Sequence, residues 1–152
     1  MMPHIYKSTK QYGHEMGLSC CFRQWKASSH CRYLHGYALA VRFIFEAEEL
    51  DERNWVVDFG SLKTMKAWLE SVFDHTLIVA QDDPKRHILL ALAEHDIAKV
   101  VFVERVGCET FAKLIFDYTE SWLTINGYTP RCTLRSVEVK EHGSNSALYE
   151  RQ

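Results

Sequence analysis

The chain is poor in most of the features that declare a function at once. It has no C-x-x-C pair, and its five cysteines, at 20, 21, 31, 108 and 132, are odd in number and irregular in spacing. That excludes a disulfide framework and points to reduced thiols in a cytoplasmic protein. A formal net charge of −2 gives no general attraction to nucleic acid or to an anionic membrane, so neither is an expected partner. No segment approaches the roughly 18 apolar residues of a membrane span, and the opening stretch MMPHIYKSTKQYGHEMG lacks the apolar centre of a signal sequence. The acidic stretch Glu46 to Asn54 lacks the glycine and ligand alternation of a calcium loop and reads as a solvated turn. There is no repeat, low-complexity tract or linker, so 152 residues are expected to build one domain with a two-layer core.

What is present is a succession of short apolar patterns. Residues 1–17 read as a partly ordered lead-in in which only Ile5 and Tyr6 resemble a strand seed. Leu18 to Trp25 reads as a first strand with Leu18, Cys20 and Phe22 on one face. After a short polar connection, His35 to Glu46 reads as a second strand, antiparallel to the first, with His35, Tyr37, Leu39 and Val41 on one face. Trp55 to Phe59 suggests a third strand. Ser61 is a candidate N-cap for a helix marked by Leu62, Met65, Trp68, Leu69 and Val72. A short helical face around Ile88 to Ala93, a strand over Lys99 to Glu104, and a long helix from Cys108 to the stop at Asn126-Gly127 follow. Cys132 to Glu141 alternates as a last strand. The order β-β-β-α, short helix, β-α-β predicts an α+β sandwich with two long helices against an antiparallel sheet.

The chemistry concentrates in Cys31-Arg32-Tyr33-Leu34-His35-Gly36-Tyr37. This segment puts a thiol, an imidazole and a phenol within seven residues at the start of a strand, close to Arg23, His30 and Arg32. Cys31 is the leading nucleophile or base, because its basic and aromatic surroundings suit a tuned thiolate better than those of Cys132, which reads as core. Asp74-His75 is a second candidate, since a carboxylate can orient an imidazole that moves a proton. Glu141 offers paired acceptor oxygens to an amidine-like heterocycle edge. The eight histidines are scattered, and composition alone does not indicate a metalloprotein.

Cys31-x-x-x-His35-Gly36-Tyr37 resembles the C-x-x-x-H-G-H motif of the 6-carboxytetrahydropterin synthase branch of the 6-pyruvoyltetrahydropterin synthase family. The likeness continues through Val57-Asp58-Phe59, Leu62-Lys63, Phe73-Asp74-His75, Glu109, Val139-Lys140-Glu141 and Ala147-Leu148-Tyr149, covering nearly the whole chain as one pterin-synthase-like domain over 1–152. It implies a tunnelling fold: a four-stranded antiparallel sheet with two long helices on one face, closing with other protomers into an oligomeric barrel, as a trimer or dimer of trimers with sites between subunits. It further implies Cys31 as the proton-abstracting thiolate, Asp74 and His75 as the partner acid or base, and Glu141 as the pterin anchor with Glu109 as a second contact.

The family's substrate is 7,8-dihydroneopterin triphosphate, and the bacterial branch releases acetaldehyde on the way to queuosine and other 7-deazapurines. The family's zinc ligands fall on Phe22, His35 and Tyr37, of which only His35 is a histidine. The usual zinc site is therefore not expected unless His14 or His30 is recruited, and Arg23 or Arg32 would have to supply the missing positive charge. A divergent lyase is the first expectation. The alternatives are a non-catalytic pterin or purine binding module, and a related metal-independent enzyme in which Phe22 and Tyr37 wall the pocket of a different pterin.

Overall fold

The computed structural model describes residues 3–152; Met1 and Met2 of the expected lead-in lie outside the described residues. The organising element is β3 (His35–Ala47). Its residues 35, 37, 39, 41, 43, 45 and 47 form one stripe, buried from Leu39 onward and half-buried at His35 and Tyr37. One edge of β3 carries β2 (Leu18–Phe22) and then β1 (Tyr6–Tyr12), both antiparallel. The other edge carries antiparallel β6 (Cys132–His142), which in turn pairs with β7 (Asn145–Glu150). Beyond β2 the sheet continues in parallel through β4 (Thr76–Ala80) and β5 (Lys99–Val103).

The expected four-stranded antiparallel sheet under two long helices, closing into a barrel, is thus overturned. The α+β class holds, but the described residues form a mixed seven-stranded sheet that runs openly from β5 to β7. The reason lies in β4, whose five residues are all buried. A strand apolar on both sides needs cover on both faces, as parallel strands generally do. α1 (Lys63–Phe73) and α3 (Cys108–Ile125) cover one face, with Met65, Leu69, Phe111 and Ile115 in the main core. α2 (Arg86–Glu94) packs Leu89 against Leu77 and Val79 in a separate cluster that also takes in Cys21, so it lies on the opposite face.

Three local expectations also change. Residues 6–12 form a full strand although only Tyr12 of it is buried, because pairing to the long edge of β3 supplies what the apolar pattern does not. Trp55–Phe59 is not a strand. Asp51 Oδ1 accepts from the backbone N–H groups of Arg53 and Trp55, both at 2.9 Å, and the Arg131 guanidinium donates to the carbonyls of Trp55 and Val56. These contacts satisfy the backbone as a turn that tucks Val56 and Val57 into the core. Ser61 does not cap α1: a 3-10 turn over Phe59–Leu62 comes first, and Asp58 caps it by accepting from the Gly60 N–H at 2.8 Å.

Candidate active site at the open end of the central stripe

Register brings the motif residues together. Phe22 pairs with His35 and Cys20 with Tyr37, so these side chains meet on the helix-covered face. Phe22, His35 and Tyr37 form a closed ring cluster, with centroids 5.2 Å apart for Phe22–His35, 6.0 Å for Phe22–Tyr37 and 5.5 Å for His35–Tyr37. Gly36, between the two motif side chains, is required by close approach. A Cβ there would lie 2.7 Å from the Cys20 carbonyl oxygen, a contact that would force the two strands apart.

Glu141 arrives from β6 on the face of Val137 and Val139. A bulge between Lys140 and His142 leaves it without a partner in β7, a local device that re-aims a side chain. The Tyr37 phenol is held above its ordinary pKa by burial first, then by the Glu141 carboxylate and by Cys31. The Cys108 thiol is pushed up to about 12 by burial, then by Glu141 and Glu109. Glu109 and Glu141 line one cavity of about 380 Å³ with Cys108, Ser144, Asn145 and Ser146. Cys31 sits in the 3-10 turn His30–Arg32, half-buried. Its carbonyl accepts from the Gln24 N–H at 3.0 Å, which fixes the turn just past the end of β2.

Other candidates stand elsewhere. Arg23 donates through Nε and a terminal nitrogen to both oxygens of buried Asp83, at 2.8 and 2.6 Å, so its charge is matched inside the fold. Arg32 donates to the carbonyls of Ser28 and Ser29 and to the Tyr33 hydroxyl, bracing the Cys31 turn from outside. His14 Nδ1 contacts the Ala38 carbonyl at 2.5 Å, and His30 is exposed. Asp74 and His75 do form a pair, Oδ1 to Nδ1 at 2.7 Å, with the His75 side chain 86% exposed. Within one chain, however, they lie at the other end of β2 from Cys31. Thr76 pairs with Cys20, which puts the pair roughly 15 Å along the strand from the Cys31 turn.

Sequence reasoning missed Cys108 and the turn at Gly143-Ser144 that leads into Asn145 and Ser146 of β7. The signal for the turn was present in His142-Gly143 followed by the alternating segment Ser146-Ala147-Leu148-Tyr149.

Comparison with known families matches residues 13–152 to the family described as 6-pyruvoyl tetrahydropterin synthase. The chain belongs to this family. A 6-carboxy-5,6,7,8-tetrahydropterin synthase of Rickettsia bellii is 36% identical over 75 residues, 49% of this chain and 53% of that protein. The chain thus spans about half the length of that curated relative. A protein of the same description from Aquifex aeolicus is 24% identical over 97% of this chain and 90% of its own length.

Among solved structures, an uncharacterised protein of Wolinella succinogenes superposes with a TM-score of 0.82 at 22% identity, over 98% of this chain and 99% of the other. A Plasmodium vivax 6-pyruvoyltetrahydropterin synthase gives 0.70 at 16%, over 97% and 98%. These structural likenesses show the fold. The family's zinc does not fit the donors found here: one imidazole, one phenol and one phenyl ring occupy the three positions. Among the described residues no group of three or more His, Cys, Asp or Glu side chains is placed to hold a metal.

Proposed function

We propose that the chain is a lyase of the pterin synthase family that acts on 7,8-dihydroneopterin triphosphate or a related pterin, as one pterin-synthase-like domain over residues 1–152. The observation that supports this best is the convergence of Glu141, Glu109 and Cys108 on one cavity, with Tyr37 near enough to Glu141 and Cys31 to feel the charge of both. Glu141 anchors the pterin by accepting two hydrogen bonds from its amidine-like edge. Glu109 adds a second polar contact at the start of α3. Cys31 removes the proton that starts the side-chain rearrangement, and the Asp74–His75 pair returns or accepts it.

The separation of Asp74–His75 from Cys31 along β2 favours a site completed by a second copy of the chain. We therefore place the working form as a homo-oligomer, a trimer or a dimer of trimers, in the cytoplasm. No helix of the described residues is long and apolar enough to cross a membrane.

Incubation of the full chain with 7,8-dihydroneopterin triphosphate, followed by mass spectrometry, tests the assignment. Expected are triphosphate release, acetaldehyde and a 6-carboxy pterin, all lost in Cys31→Ala. Tight pterin binding with no turnover under any condition would instead make the chain a binding module.

A further inference from the structure

In relatives, three imidazoles would have to meet where Phe22, His35 and Tyr37 meet here. Phe22 is 1% exposed and packs edge-on against Phe111, centroids 5.2 Å apart at 86°, so the first position has become part of the core. His35 Nδ1 is engaged by the Tyr33 carbonyl at 2.7 Å, which leaves a single ring nitrogen facing the cluster. A further imidazole beside the cluster is that of His142, 6.3 Å from the Tyr37 ring. Both of its nitrogens are in use, Nδ1 accepting from the Ser144 N–H at 3.2 Å and Nε2 contacting Asn145 Nδ2 at 3.3 Å. His14 is held at Ala38, as described above. One free imidazole nitrogen is far short of the three or four ligands that hold zinc.

We propose that this pocket takes its ligand without zinc, the Phe22–His35–Tyr37 ring cluster filling the place of the cation. This rests on the pterin reading of the site given above. The ring cluster then bounds the pocket beside Glu141, whose carboxylate acts on the Tyr37 phenol, and the ligand's side chain meets aromatic edges and the Tyr37 hydroxyl there. Orientation of the ligand falls to Glu141 and Glu109.

The test uses the full chain, with cobalt(II) and zinc as metal probes and neopterin fluorescence as the binding probe. Wild type is expected to give no tetrahedral cobalt spectrum and no zinc that His35→Ala releases. Its neopterin affinity should change by less than about twofold between chelator and added zinc. The double substitution Phe22→His with Tyr37→His should gain about one tightly held metal per chain, with the tetrahedral cobalt signature. One zinc per chain in wild type, released by His35→Ala, would overturn the proposal, as would neopterin binding that chelation abolishes and zinc restores. If the double variant does not fold, the wild-type and His35→Ala titrations still decide. If wild type binds no neopterin, the pterin reading fails, while the metal titration still decides the question of zinc.

Discussion

Cys31 and Cys108 both neighbour Tyr37, yet they are placed for different work. Cys108 is buried at the start of α3, where burial and two carboxylates keep it protonated, and Cys20 is likewise pushed up to about 12 and Cys132 to about 11. At pH 8 these three thiols should resist iodoacetamide, because the thiolate is the reactive form. Peptide mapping should find the label chiefly on Cys31, half-buried in its turn, because burial raises the pKa of the other half-buried thiol, Cys21; equal labelling of Cys108 would contradict this environment.

A second prediction at this scale concerns Asp83, 1% exposed and bound by Arg23. The Arg23 hydrogen bonds hold its carboxyl below the usual carboxylate range. A depressed carboxylate stabilises the fold above its unfolded pKa, about 3.9, and loses that contribution as pH falls through the folded value. The thermal midpoint of wild type should therefore drop toward that of Asp83→Asn below about pH 4. Near neutral pH, Arg23→Ala should cost about 3 kcal/mol by stranding the buried charge, measured by urea denaturation.

At the scale of elements, the site depends on how closely β2 approaches β3. Gly36→Ala puts a methyl group 2.7 Å from the Cys20 carbonyl oxygen, a backbone clash that no rotamer relieves. It should destabilise the chain by about 1–3 kcal/mol, read as a lowered denaturation midpoint, and should weaken neopterin binding by displacing Tyr37. Phe111 is the matching point on α3. It packs edge-on against both Phe22 and Phe73, and so ties the ring cluster to the end of α1. A full strength of that tie is expected from Phe111→Ala, which should cost about 3–5 kcal/mol.

At the scale of the whole molecule, the Asp74–His75 pair is the feature that one chain leaves unused. Its imidazole is exposed, and Cys31 lies at the opposite end of β2. If a second copy completes the site, Cys31→Ala and His75→Ala are each inactive alone but recover activity when unfolded together and refolded as mixed oligomers. Absence of any recovery, with the mixed assembly verified by native mass spectrometry, would place both groups' work within one chain. The outer strands β5 and β7 keep unpaired edges in the described chain, which leaves backbone available for such association.

The local pattern determined much of this protein. The face shared by Leu18, Cys20 and Phe22, the stripe beginning at His35, the helix from Cys108 to Asn126-Gly127 and the strand ending at Glu141 are all period-two or period-3.6 signals carried by neighbouring residues. The motif around Cys31 also marked the candidate site and, together with Phe22, the two positions where imidazoles are missing. Other features depended on long-range contacts. β1 forms because β3 is long enough to pair with it, and its own polar residues give little sign of a strand. Parallel addition of β4 and β5, the docking of α2 on the far face, and capture of Arg23 by Asp83 sixty residues away are set by packing between distant segments. The bulge that frees Glu141 and the commitment of His35 and His142 to other partners were likewise decided in three dimensions, because hydrogen-bond capacity is spent between residues whose proximity only the folded chain creates.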